Sequence, residues 1–155
     1  MDNWIFLALL SAAAAAGVGI FGKLGVAQID STLATTVRSI IMAIFLVVVS
    51  ISLGKAKLLS TISPRALMFI VLAGISGALS WLFYFTALQN GPVAGVAALD
   101  RLSVVFVVIF SILFLSEKLT VESVLGSILI TLGAVFLTGH YKIADLITLG
   151  QKLVK

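Results

Sequence analysis

Five apolar runs, each long enough to cross a bilayer, constrain this chain more than any other feature. A spanning helix needs about 20 consecutive, mostly apolar residues. The stretches at approximately 4–21, 32–53, 64–88, 92–115 and 121–137 meet that requirement. In lipid every backbone N–H and C=O must find its partner inside the protein, so only helices or a closed barrel can span. The runs are continuous rather than alternating with period two, which selects helices. Composition agrees: 61% of residues are hydrophobic and 10% charged, against about 25% charged in a soluble domain. The predicted fold is an all-α, polytopic integral membrane helical bundle with five transmembrane helices in one domain, residues 3–139. A short tail, residues 140–155, reads as an amphipathic or interfacial segment.

Local signals set the ends of these helices. Gly22, Lys23 and Gly25 mark the exit of the first. Asp30-Ser31-Thr32 offers side-chain caps to the second, and Ser63-Pro64 is an N-cap followed by proline at the first helical position of the third. Asn90-Gly91-Pro92 forces a turn between the third and fourth. Before the first apolar run stand Asp2 and no Lys or Arg, so the run reads as a retained helix rather than a secretory signal.

Several function classes lose support at this stage. The chain has no cysteine and one histidine, His140, so no metal cluster can be composed from those residue types. No phosphate-binding glycine loop, paired-carboxylate site or nucleophile triad is legible. The net charge of +4 comes from Lys and Arg lying mostly in loops and the tail. That is ordinary for a membrane protein and argues against nucleic acid as a partner. The expectation is a non-enzyme without cofactor or metal, whose first partner is the lipid bilayer.

An odd number of spans puts the termini on opposite sides. One side carries Lys55, Lys57, Arg65 and Lys118; the other carries Lys23, Lys142, Lys152 and Lys155. Cytoplasmic loops are enriched in Lys and Arg, yet this distribution has almost no bias. Two readings stand: a fixed orientation with the tail charges counting for little, or dual topology, in which copies insert both ways.

Charges inside the spans are the candidate functional residues. Asp100 and Arg101 are adjacent within the fourth run, about 12 Å along the helix from Pro92, and Arg38 lies about 10 Å into the second run from the same side. A charge near the centre of a spanning helix costs about 2.5–3.5 kcal/mol on insertion scales. Asp100 therefore either lines a solute or proton pathway or forms a structural pair, with Arg38 its natural partner by depth. Arg38 and Arg101 either bind an anionic solute or snorkel to the interface. Trp81, Tyr84 and Gln89, near the end of the third run, either line a polar-aromatic pocket or sit in an interfacial belt. Small residues let helices approach closely in lipid. Gly17, Gly74 and Gly77, and Gly126 and Gly133 seven residues apart, are the candidates for helix packing or dimerisation.

Several segments carry a family resemblance. They are Ser80–Gly91 (SWLFYFTALQNG), Val96–Phe106 (VAALDRLSVVF), Phe114–Thr120 (FLSEKLT), and upstream Trp4–Leu10, Gly22-Lys23-Leu24-Gly25 and Ala34–Arg38. Together they resemble the EamA domain of the drug/metabolite transporter superfamily over residues 3–139. The resemblance implies a carrier of a small metabolite or drug-like solute in the bacterial or archaeal cytoplasmic (inner) membrane. Many members hold two inverted five-helix repeats; this chain is similar to one. Inverted repeats build a midplane site at their interface, so a half-size member implies pairing with an oppositely inserted copy, an antiparallel homodimer, or with a second half-size protein. The Gly126/Gly133 spacing is similar to the dimerisation stripe of small multidrug transporters. Those carry a membrane-embedded Glu in helix 1, where this chain has no acidic residue between Trp4 and Phe21; their proton-coupled mechanism is not implied. A non-transporting membrane subunit, or half of a lipid-carrier flippase acting with a different partner, is the alternative.

Overall fold

In a computed structural model, the backbone is described for residues 3–153 and the side chains for residues 3–139. Six α-helices follow one another: α1 (Asn3–Val26), α2 (Ser31–Ser52), α3 (Pro64–Asn90), α4 (Val93–Asp100), α5 (Ser103–Leu115) and α6 (Val121–Leu153), with a short 3-10 segment, Lys55–Thr61, after α2. No strand occurs among the described residues. Five segments are long and apolar enough to cross a membrane: α1, α2, α3, the stretch Val93–Leu115 that contains α4 and α5, and Val121–Gly139 within α6. The protein is an all-α integral membrane bundle, as its sequence requires.

The helix starts follow from their caps. The Asp30 carboxylate Oδ1 accepts from the backbone N–H groups of Thr32 at 2.9 Å and Leu33 at 3.0 Å, which occupies donors the first turn of α2 leaves unsatisfied. Ser63 Oγ accepts from Ala66 N at 3.2 Å at the start of α3. Thr120 and Ser123 cap α6 reciprocally, each side-chain oxygen accepting from the other's backbone N–H at 3.2 Å. Gly54 ends α2 with φ 66°, the left-handed conformation glycine adopts freely. Hydroxyls inside the spans bond back to carbonyls one turn earlier, as Thr35 does to Ser31 at 2.7 Å and Thr131 to Ser127 at 2.8 Å. That satisfies them without a partner helix.

The chain divides into two compact units, Met1–Asn90 and Gly91–Lys155. In the first, α3 packs against both α1 and α2. Its buried residues gather at one end: Gly19, Gly22 and Val26 of α1, Ser31, Ala34 and Thr35 of α2, and Phe85 and Leu88 of α3. Large apolar side chains toward the other end, such as Trp4, Val47 and Phe69, are exposed, a distribution that suits contact with lipid rather than water. In the second unit α6 packs on α4 and on α5, with Gly95 and Ala134 buried.

Three sequence expectations need correction. The first helix does not end near residue 21; α1 runs through Gly22, Lys23 and Gly25 to Val26, because close contacts with α3 outweigh the poor helix propensity of glycine. The fourth span is not one helix from 92 to 115 but two, separated at Arg101 and Leu102. The last helix does not stop at 137: its backbone continues to Leu153. The surface-lying character expected of residues 140–155 rests on side chains outside the described residues.

Candidate functional site

The first unit is fastened where its buried residues gather. The Lys23 ammonium donates to the Leu88 carbonyl and, at 3.5 Å, to that of Gln89. It stands at the C-terminus of α3, where unsatisfied carbonyls and the negative end of the helix dipole favour a cation. The Gln89 side-chain amide donates to the Ile29 carbonyl at 3.3 Å, and the hydroxyls of Ser31 and Thr86 lie 3.2 Å apart. Gly22 completes this end: a Cβ there would come within 3.3 Å of both Leu88 and Phe85.

Next along α2 comes Arg38, half-buried. Its guanidinium carbon lies 3.7 Å from the centroid of the Trp81 ring and 5.5 Å from that of Phe85. Trp81 is held in turn by edge contacts to Tyr84, centroids 5.5 Å apart, and to Phe85 at 6.0 Å. A cation over an aromatic face gains about 2 kcal/mol or more when desolvated, which offsets much of the cost of an arginine at this depth. The rings meet the guanidinium face but accept none of its in-plane N–H bonds. Nη1 is buried with no hydrogen-bond partner among the described residues.

Arg38 also lines a cavity of about 610 Å³ that is open rather than enclosed, with Phe21, Val37 and Ile41 exposed. Gly17, Phe21 and Gly25 of α1, Val37 and Ile41 of α2 and Phe85 of α3 are among its walls, and of the residues lining it Arg38 alone is charged.

In the second unit the fourth span changes geometry at its charges. α4 closes at Asp100 and α5 opens at Ser103. Arg101 and Leu102 between them have ψ −14° and −16°, and the N–H groups of Leu102, Val104 and Val105 bond three residues back, to Leu99 at 3.0 Å, Arg101 at 3.1 Å and Leu102 at 2.9 Å. The helix is tightened here into 3-10 form, which in mid-helix often marks a functional hinge. Asp100 is half-buried and Arg101 exposed.

Among the residues expected to line a pathway, the structure brings together Arg38, Trp81 and Tyr84. Gln89 sits at the fastened end, tied to Ile29. Asp100 and Arg101 stand together at the interruption, in a different unit from Arg38. Of the five packing glycines, Gly74, Gly77, Gly126 and Gly133 have no described atom within 4 Å of where a Cβ would be, and Gly17 meets only Phe21, one turn along its own helix. Gly22, read from sequence only as an exit marker, is used in close packing against α3. Phe85 was also missed; its spacing four residues after Trp81, on one helix face, was the available signal.

A family model for the EamA-like transporter family matches residues 2–139. The chain belongs to that family. A Sinorhizobium sp. protein described as an uncharacterized transporter in the cobO 3'region is 44% identical over 136 residues, covering 88% of this chain and 96% of the relative. No solved structure matches. The cavity at Arg38 and the interrupted fourth span are therefore features of an EamA-like membrane transporter, an integral membrane protein by its five spans.

Proposed function

We propose that this EamA-like protein carries a small-molecule solute by alternating access, as an antiparallel homodimer in a bacterial or archaeal cytoplasmic membrane, with Asp100 on the pathway. The observation that carries the reading is the interruption of the fourth span at Asp100–Leu102. A 3-10 tightening in mid-helix often marks a functional hinge, and backbone at membrane depth departs from the regular α-helix where it is buried in protein or lines a cavity. An ionisable residue at such a point is a functional candidate for the same reason. The dimer draws support from the balanced Lys and Arg distribution and from Gly126 and Gly133, whose small faces have no close neighbour among the described residues.

The test is flux. Purified protein in liposomes, offered a metabolite panel, is expected to move at least one solute, and Asp100→Asn is expected to reduce that movement by more than about tenfold while the variant remains folded and inserted. Undiminished flux in Asp100→Asn removes Asp100 from the pathway. Absence of flux across the panel, with stable binding of another membrane protein, favours a non-transporting subunit.

A further inference from the structure

The Arg38 cavity belongs wholly to the first unit, and its chemistry is specific. Its walls are apolar side chains and glycines, and Arg38 is its one charged lining residue. A volume of about 610 Å³ falls in the range of small-molecule sites, roughly 300–1,000 Å³. The guanidinium has five N–H donors in a planar fork. Stacking on Trp81 uses the face of that plane and leaves hydrogen-bonding capacity unspent, as the partnerless Nη1 shows. A buried donor without an acceptor is costly, and more so when charged. The acceptor that suits the fork is a planar or tetrahedral acid, carboxylate or sulfonate, engaged through two oxygens.

We infer that this cavity binds an organic anion with one acidic group, paired with Arg38, and an apolar body lying among Phe21, Val37, Ile41 and Phe85. Sugars, nucleotides and other polyhydroxylated solutes do not fit, because the walls supply no further polar partners to replace their hydration. That such an anion is also the solute carried rests on the transport reading above; its binding does not. The anion is a free solute rather than the headgroup of an anionic lipid, and the experiment separates the two.

Trp81 reports on its own site. The chain has two tryptophans, Trp4 and Trp81, so a Trp4→Phe background leaves one emitter, stacked on the residue in question. The full-length protein in phosphatidylcholine nanodiscs is titrated with 4-phenylbutyrate, with the neutral isostere 4-phenylbutyramide, and with 4-phenylbutylammonium. The expected result is a saturable change in Trp81 emission with the carboxylate alone. Arg38→Gln is expected to weaken it about ten- to a hundredfold. Gly25→Leu tests the cavity without touching the charge: nothing stands within 4 Å of a Cβ at that position, so the new side chain fills the space and blocks the ligand. Equal responses to acid and amide, or full affinity in both folded variants, overturn the inference. So does loss of the response when phosphatidylglycerol is added to the nanodiscs, which assigns Arg38 to a lipid headgroup. Saturable carboxylate binding without 4-phenylbutyrate flux in liposomes retains the site and counts against transport of this class. Asp100-dependent flux of another solute, indifferent to Arg38→Gln and with no Trp81 response to the carboxylate, does the reverse.

Discussion

Arg38 shows how one residue can be recognised as unusual from sequence while its partner within its own unit goes unread. Its depth pointed to Asp100, because distance along a helix can be read from sequence. Its partner within the first unit, Trp81, lies 43 positions away on another helix, a juxtaposition that no spacing rule reveals. Replacing Trp81 with Leu is expected to lower stability in detergent by about 1–2 kcal/mol, whereas Trp81→Phe retains most of it, since a phenyl ring keeps a π-face. A double-mutant cycle between positions 38 and 81, read by thermal unfolding, measures the coupling; a value near zero would show the stack to be incidental. Lys23 offers a second check at this scale. Lys23→Met removes the cation at the end of α3 and is expected to cost about 1 kcal/mol, with Lys23→Arg close to wild type.

Among the elements, caps and spans were legible because they are written locally. Asp30, Ser63 and Thr120 sit where short polar side chains meet unsatisfied N–H groups, and apolar length announces a span. The break between α4 and α5 was not legible, since Val96–Val105 contains neither proline nor glycine; only the paired charges hinted that the segment was unusual. The end of α1 was misread for the opposite reason. Gly22 and Gly25 look like breakers, yet both border a cavity, and Gly22 alone of the two also serves a close helix contact. They are expected to respond differently to substitution: Gly22→Val forces α1 away from Phe85 and Leu88 and costs roughly 1–3 kcal/mol, while Gly25→Val costs little within the first unit. Thermal unfolding of the two variants side by side decides it, and equal losses would contradict the packing described.

At the scale of the whole molecule, fold class and family could be read from sequence because both rest on hydropathy and contiguous motifs. How copies associate could not be read, because a glycine face looks the same whether it meets its own chain or another. With nothing described within 4 Å of a Cβ at Gly126 or Gly133, Gly126→Cys is expected to crosslink to its own counterpart in native membranes. Labelling from the two membrane faces should then find Lys57 exposed on each of them in different copies. A single orientation in every copy would leave a hetero-partner as the route to an inverted pair. The burial pattern of the first unit adds a further consequence. Its three helices are clasped where Lys23, Ile29, Ser31 and Thr86 meet Leu88 and Gln89, and their opposite ends bear exposed apolar side chains. Two such units inserted in opposite senses would give each leaflet one rigid corner and one compliant corner, diagonally opposed. Such a pair would flex most easily by trading which leaflet is wide, its clasped corners moving as fixed bodies.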